Sequence, residues 1–468
     1  MNTLYTGDCL YILHGINSQS VDLIYLDPPF NSNRNFSAPL GSKAAGSSFE
    51  DMWKWKDVDE QYLESIIKDF PYLVQFIQSI GVISSEAMKS YIAYMTQRII
   101  EMNRVLKDDG SFYLHCDPTA SHYLKIVCDR IFGKNNFRND ITWKRFAAHS
   151  DSKLNFGRIT DSILFYSKSN NFYFKPQRVE HSEEYLSKEW RKLPNGRLYK
   201  TENLLDPQKK MSEYDFHGTV ARWRMTPQKL EELWNAPQTD VPQSHGRIKV
   251  DKNGTPLKRA RIVFHDELLE KNKGVPVQSL WSDINYVSGG SKEATGYPTQ
   301  KPLKLLKRII ESSSEEGDVV LDPFCGCATA CVAAQQLNRK WIGVDISEVS
   351  ARVVMQRLSE DAGIFSDFIH TDKFPQRTDI LFEKPDKNMK ERLFKDQKGK
   401  CNACAAEMEI RNFEIDHIIP RSKNGADTYE NFQLLCGSCN RIKGDRPMEY
   451  LMMRIEQINS AMKYKVSF

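Results

Sequence analysis

Four consecutive residues, Asp27-Pro28-Pro29-Phe30, place an acid, two prolines and an aromatic directly after the apolar run Val21-Asp22-Leu23-Ile24-Tyr25-Leu26. Such a run predicts a buried strand, and the tetrapeptide then stands at its carboxyl end, where open α/β sheets carry out their chemistry. Each proline fixes φ and lacks an N–H, so the turn is stiff and offers carbonyls rather than donors to a ligand. The Asp27 carboxylate and the Pro28 carbonyl can accept the two hydrogens of an exocyclic amine while Phe30 stacks on the flat ring that bears it. With its lone pair drawn out of conjugation, that nitrogen becomes a nucleophile. Taken alone, the tetrapeptide also fits a plain turn after a strand.

A second element lies about three hundred residues on. Val319-Val320-Leu321-Asp322-Pro323-Phe324-Cys325-Gly326-Cys327-Ala328-Thr329 reads as strand, small-residue turn and helix start, and Lys340-Trp341-Ile342-Gly343-Val344 follows as a strand ending at Asp345. The spacing from Gly326 to Asp345 is that of a nucleotide fingerprint, with the acid placed to bind ribose hydroxyls. The turn is not G-x-G-x-x-G, which points away from a dinucleotide. A smaller ligand without phosphate, such as S-adenosylmethionine, requires only close backbone approach and a helix amino terminus for its carboxylate.

With these two elements in this order, the chain resembles the β-class amino-methyltransferases of DNA, in which D-P-P-F/Y precedes D-P-F-x-G-x-G-T. The resemblance implies a Rossmann-like α/β S-adenosylmethionine-dependent sheet with an inserted target-recognition region. It also implies catalytic roles for Asp27, Pro28, Pro29 and Phe30 and cofactor contacts from Asp322, Phe324, Gly326 and Asp345. Tyr297-Pro298-Thr299-Gln300-Lys301-Pro302 matches the family segment that reaches the methionine end of the cofactor, which implies Lys301. Gly7-Asp8 matches its site near the adenine. Without the resemblance, Asp8 reads as a helix cap and Lys301 as a solvated first-turn lysine. Ala328 replaces the second glycine of the cofactor turn, which it can do if φ there is negative. An Asp at the first catalytic position resembles adenine-N6 enzymes rather than cytosine-N4 enzymes, whose motif usually opens with Ser; adenine is favoured and cytosine stays open.

A separate signal sits near the carboxyl end. Cys401-x-x-Cys404 and Cys436-x-x-Cys439 have zinc-ribbon spacing, and four thiolates would close a structural zinc. A pair of disulfides is the alternative, disfavoured where no secretory signal is seen. Between and after the pairs come Glu414-Ile415-Asp416-His417, Asn431 and Cys439-Asn440-Arg441-Ile442-Lys443. These resemble the HNH nucleases, a small ββα-metal fold. The resemblance implies His417 as general base, Asn431 as the holder of its ring, and Asp416 with Asn440 as ligands of a divalent ion, Mg2+ or similar.

Composition agrees with this division. The 468 residues, 40% of them hydrophobic, suffice for two to four domains. No membrane-length apolar run and no charged leader is seen, so a cytoplasmic protein is expected. Net charge is only +4, so contact with nucleic acid must come from local patches. Residues 171–275 hold 20 basic and 15 acidic side chains, and 390–468 hold 14 and 11, so both surpluses fall where DNA contact is expected. The expected organisation is a catalytic half at 1–170, a target-recognition insert at 171–280, a cofactor half at 281–360, a linker at 361–390 and an HNH zinc domain at 391–468. In the insert, Arg222-Trp223-Arg224 and the basic residues Arg247, Lys249, Lys258, Arg259 and Arg261 mix aromatics with cations. Residues 41–48 read as a mobile loop, and 49–56 read equally as a DNA-contacting lid or as a helix with its tryptophans inward.

The resulting expectation is a site-specific methyltransferase acting on an extruded base of double-stranded DNA, joined to a module that hydrolyses phosphodiesters, as in a single-chain restriction-modification enzyme. Two rivals stand beside it: an orphan methyltransferase whose HNH unit binds DNA without cutting, and an enzyme for RNA or another amine. A homodimer and a restriction-system partner are both compatible with the reading.

Overall fold

The computed structural model describes residues 2–465 apart from 31–33, 40–41, 46–47, 52–53, 60–61, 64–65, 68, 147–155, 181–182, 209, 273, 363–367, 380–386, 422–424, 426 and 447. Residues 52–53 of the stretch read as a lid, and parts of the 41–48 loop, fall outside the described residues.

Among the described residues nine strands form the main sheet. They are β1 (Asn2–Thr6), β2 (Val21–Leu26), β3 (Leu106–Cys116), β4 (Phe137–Lys144), β5 (Thr160–Ser167), β6 (Leu280–Trp281), β7 (Val319–Asp322), β8 (Lys340–Asp345) and β9 (Phe368–Thr371). Their spatial order is β6-β4-β5-β3-β2-β7-β8-β1-β9. From β3 through β9 every neighbouring pair is parallel, whereas β5 runs antiparallel to β3 and β4. Strands β2 and β7 are neighbours in register Leu23↔Val320 and Ile24↔Leu321. The chain leaves β2 for β3 on one side and leaves β7 for β8 on the other. That reversal opens a crevice at their carboxyl ends, and Asp27 and Asp322 stand there.

Helices α1 (Cys9–Gly15), α2 (Pro71–Ile83) and α3 (Glu86–Val105) pack against the sheet. In α3 the buried Met88, Tyr91, Ile92, Met95, Ile99 and Met102 recur at helical spacing, and each such apolar side chain contributes about 1.5–3 kcal/mol by leaving water. Ser85 caps its start by accepting from the Met88 N–H at 3.1 Å. The helix stops at Val105 because Leu106 already pairs with Val21 and begins strand β3. Helices α4 (Ser121–Cys128), α5 (Leu303–Ser313), α6 (Thr329–Gln336) and α7 (Glu348–Ala362) complete this part.

The stretch expected to be a linker, 361–390, is structured in part. Its residues Phe368–Thr371 pair in parallel with β1 as the ninth strand, and Thr378 and Asp379 accept or donate hydrogen bonds at Asn17 and Ser18. The alternation of polar and apolar residues there carries no strand signal, since Ile369 and His370 are both exposed.

Residues 176–278 form a compact unit of their own. It holds a five-stranded antiparallel sheet built from 191–192, 198–202, 244–245, 248–250 and 256–264. Trp223, flanked by Arg222 and Arg224, is fully buried beside Leu204, Phe216 and Leu230, so this aromatic serves the unit's core and is no platform for a base.

The carboxyl-terminal module has a hairpin of β10 (Phe413–His417) and β11 (Phe432–Cys436), with α8 (Lys387–Asp396), α9 (Gly437–Lys443) and α10 (Met448–Lys465). Its own small core gathers Met389, Leu393, Phe413, Phe432, Leu434, Leu435, Met448 and Leu451.

Candidate functional site

The crevice between β2 and β7 is a cleft of about 1620 Å³, larger than the roughly 300–1,000 Å³ that one small ligand needs. It therefore has room for two. Asp27, Pro28, Pro29 and Phe30 line one part; Asp8, Phe324, Gly326, Asp345 and Ser350 line the other; Lys301 and Asp322 stand in the same cleft.

Asp27 follows β2 directly, so the strand's burial fixes where its carboxylate points. One oxygen, Oδ2, is ion-paired to the Lys301 ammonium, while Oδ1 is buried and has no hydrogen-bond partner among the described residues. Lys301 is itself buried and lies 5.6 Å from the Phe30 ring centre. The solvated-lysine reading of this residue is thus overturned: its ammonium pairs with Asp27 and donates to the Thr299 carbonyl at 3.4 Å. Behind Phe30 the His115 imidazole stacks at 6.1 Å and 28°.

The cofactor turn is built around Asp345 at the end of β8. Its Oδ2 accepts from the Gly326 N–H at 2.9 Å and its Oδ1 from the Ser347 N–H at 2.8 Å. Gly326 has φ +51°, and a Cβ there would meet the Tyr297 ring at 2.9 Å, so both backbone and space require glycine. Burial pushes the Asp345 carboxyl up to about 6. Burial also raises Asp322 well above the carboxylate range, and the nearby charges of Asp27 and Asp345 add to it. Its Oδ1 accepts from the Phe324 N–H at 3.2 Å.

Ala328 has φ +54° and ψ +41°, the left-handed conformation. The expectation that alanine stands in for glycine at negative φ is therefore corrected: the turn keeps its glycine-like geometry because the Ala328 N–H closes it onto the Cys325 carbonyl at 2.6 Å. A non-glycine residue there costs roughly 1–2 kcal/mol.

Asp8 fulfils the capping expectation and more. It accepts from the Leu10 N–H at 2.9 Å, and both its oxygens accept from Arg98 Nη2, at 2.7 and 2.8 Å. Since Arg98 is fully buried, this ion pair, in which one guanidinium nitrogen serves both carboxylate oxygens, ties the start of α1 to α3 at the edge of the cleft.

In the carboxyl-terminal module the Sγ atoms of Cys401, Cys404, Cys436 and Cys439 lie within 4.8 Å of one another, Cys404 and Cys436 at 3.9 Å. Tetrahedral zinc with bonds near 2.3 Å would set sulfurs about 3.8 Å apart, so the quartet fits that ion. His417 ends β10, and its Nε2 faces Asp427 Oδ1 at 2.6 Å. Burial opposes ionisation of Asp427, but hydrogen bonds from Arg421 and His417 hold its carboxyl below the ordinary range. Asn431 holds the backbone of Ile419. Its side chain accepts from the Ile419 N–H at 2.8 Å and donates to the Ile419 carbonyl at 3.1 Å, pinning the loop after β10. Asp427, which sequence reasoning missed, meets the His417 ring. Asp416 and Asn440 lie on facing elements, but each already has protein partners. Asp416 accepts from Gln433 at 3.0 Å and is paired with the buried Lys443 at 3.0 Å, while Asn440 donates to Glu414.

Residues 21–356 match the DNA methylase family of N6/N4 methyltransferases, and 401–446 match the HNH endonuclease domain. The Type II methyltransferase M.EcaI of Enterobacter cloacae is 28% identical over 362 residues, which cover 76% of this chain and 68% of that protein. The DNA adenine methyltransferase YhdJ of Escherichia coli is 24% identical, covering 76% and 82%. The StyLTI Mod subunit, from a type III restriction-modification enzyme of Salmonella typhimurium, is 25% identical, and the match spans half of its length. Among solved structures, the cytosine-N4-specific PvuII DNA methyltransferase superposes with a TM-score of 0.39 at 12% identity, over 80% of this chain and 96% of that one.

Proposed function

The chain belongs to the N6/N4 DNA methylase family and carries an HNH domain behind it, and from that premise we propose that it methylates an exocyclic amine of an extruded base in double-stranded DNA, adenine N6 in preference to cytosine N4. The observation that carries this is the buried, unpartnered Oδ1 of Asp27, held beside Phe30 in one cleft with Asp345 and Gly326. Asp27 Oδ1 and the Pro28 carbonyl accept the amine's two hydrogens, and Phe30 holds the base plane. Lys301 fixes Asp27 by its other oxygen and offsets its charge. Asp345 would accept from the ribose hydroxyls of S-adenosylmethionine, and the Gly326 turn would let the backbone approach it. When bound, that cofactor supplies an electrophilic methyl group. A base reaches the cleft only by leaving the helical stack, and most of the rate gain then comes from positioning. Asp27→Ala is expected to abolish methyl transfer to unmethylated plasmid while leaving cofactor affinity unchanged; retained transfer would overturn the assignment.

For the HNH module the first reading is phosphodiester hydrolysis, with His417, oriented by Asp427, taking a proton from water. Glu414, Asp416 and Asn440 offer hard oxygen donors of the kind a magnesium ion takes, and such an ion would neutralise phosphate charge. The Lys443–Asp416 ion pair supports a second reading, a zinc-stabilised DNA-binding module that never cuts. Asp27→Ala protein, unable to protect its substrate, separates the two when incubated with unmethylated plasmid and magnesium. Linear or nicked product that disappears with His417→Ala establishes a nuclease, and intact plasmid favours the binding module.

A further inference from the structure

The methyl-transfer site described so far leaves a chain of buried polar groups behind it unexplained. Tyr25 on β2, His115 on β3 and Asp161 on β5 come from adjoining parts of the sheet and meet directly under the catalytic turn. His115 is fully buried. Its Nε2 lies 3.0 Å from Asp161 Oδ2 and its Nδ1 lies 3.0 Å from the Tyr25 hydroxyl. Burial opposes ionisation of Asp161, but the hydrogen bond from His115 and the charges of His115, Lys301 and Arg145 hold its carboxyl below the ordinary range. A carboxylate accepts only, so Nε2 carries a proton, and Nδ1 shares a hydrogen bond with the Tyr25 hydroxyl. Arg145 Nε lies 3.2 Å from Asp161 Oδ1 as an ion pair without hydrogen-bond geometry, so the hydrogen-bonded series ends at Asp161.

The imidazole so fixed has three of its sides occupied. Phe30 stacks on its face, Trp143 meets it edge-on at 5.7 Å and 89°, and the two polar partners hold its edge. A buried polar chain of this kind costs more than an apolar contact of equal volume unless every member is satisfied, so holding strands together does not require it. What it adds is a single ring orientation. An apolar ring behind Phe30 could rotate, whereas an imidazole hydrogen-bonded at both nitrogens cannot.

We propose that His115 is a positioning residue for methyl transfer. Clamped by Tyr25 and Asp161, it sets the plane of Phe30 and so the plane in which the extruded base presents its amine. The proposal rests on Phe30 being the surface the base stacks on. It is independent of cofactor binding, since neither Asp345 nor Gly326 touches the series in the contacts described above.

The test uses the full chain, plasmid DNA from a host without DNA methylation, and tritiated S-adenosylmethionine under single-turnover conditions. His115→Ala is expected to lower the transfer rate on the order of 100-fold, the scale of a 1 Å misplacement, with cofactor and DNA dissociation constants within about twofold of wild type. Tyr25→Phe removes only the hydroxyl, so it keeps the fold and decides the matter even where His115→Ala does not fold. About a tenfold loss of rate is expected for it, with unchanged cofactor affinity and a melting temperature lowered by no more than a few degrees through the one buried hydrogen bond lost. His115→Phe, which restores a ring behind Phe30, is expected to recover part of the His115→Ala loss. Rates within about twofold of wild type for Tyr25→Phe would overturn the proposal, as would losses that track cofactor affinity or melting temperature. Asp27→Ala is run alongside: if it still methylates, the base-pocket reading fails, whatever the His115 variants show.

Discussion

Lys301 and Asp27 are 274 residues apart in the chain and ion-paired in the cleft, with only one of the two carboxylate oxygens engaged. The lysine thus shapes the acid into a one-sided acceptor. Lys301→Met is expected to lower methyl transfer about 10²-fold, the scale seen when one preorganised charged group is removed, with the cofactor dissociation constant moving less than about threefold. A loss confined to cofactor affinity would instead put Lys301 at the methionine end of the cofactor. Isothermal titration and single-turnover rates distinguish the two.

Cofactor affinity should depend on pH through Asp345. Its folded value of about 6 lies above the ordinary 3.8, so between those values the folded chain holds a proton that the unfolded chain releases. The unliganded protein therefore gains stability from this group as pH falls from 7 toward 5. Ribose hydroxyls need the ionised carboxylate, so affinity moves the opposite way and falls below pH 6. The rise in melting temperature produced by saturating S-adenosylmethionine should shrink between pH 7.5 and 5.5, and should be flat across that range in Asp345→Asn.

At Ala328 two effects nearly cancel. Replacing it with glycine relieves roughly 1–2 kcal/mol of left-handed strain. The same change loses a buried methyl worth about 0.8 kcal/mol and adds unfolded-state entropy of about 0.5–1 kcal/mol. Ala328→Gly is expected to leave stability within about 1 kcal/mol of wild type by chemical denaturation. Ala328→Val, a branched residue in a left-handed and fully buried position, is expected to cost about 2–3 kcal/mol.

Zinc content is measurable without any activity. One zinc per chain is expected by elemental analysis, and Cys436→Ser should abolish it and expose residues 401–446 to proteolysis, because the core around Phe413 and Phe432 is small. Methyl transfer should persist in that variant, since none of the residues lining the cleft lies beyond Ser350.

If the HNH module cuts, Asp427→Asn should slow cleavage about tenfold or more and Asn431→Ala should do so through loss of the loop, whereas only the former should shift the His417 imidazole nitrogen resonances. Equal shifts in both would return Asn431 to the ring.

The parts of this site that could be read from sequence are those whose signal is local. The turns at Asp27 and Asp322 each follow a short β-branched apolar run that reads as a buried strand, and the cysteine pairs carry their own spacing. The series Tyr25, His115 and Asp161 could not be read, because each member sits inside what looks like ordinary strand and its partners are 46 and 90 residues away. Asp427 was missed for a related reason: it meets the His417 ring from ten residues on, in a loop that carries no motif of its own. The ninth strand was hidden by exposed edge residues that show no alternation.

The permuted sheet also dictates an order of birth. Strands β7 and β8 fill the gap between β2 and β1, yet they follow β2 by some three hundred residues, roughly 15–60 s of synthesis at 5–20 residues per second. A nascent chain carrying the catalytic turn therefore exposes one edge of β2 and both edges of β1 for that time, and a ribosome that stalls within the insert leaves a product without a cofactor cleft. When β8 does close the sheet, β10 has not yet been made. The half that transfers methyl groups is assembled before any residue of the HNH hairpin leaves the ribosome.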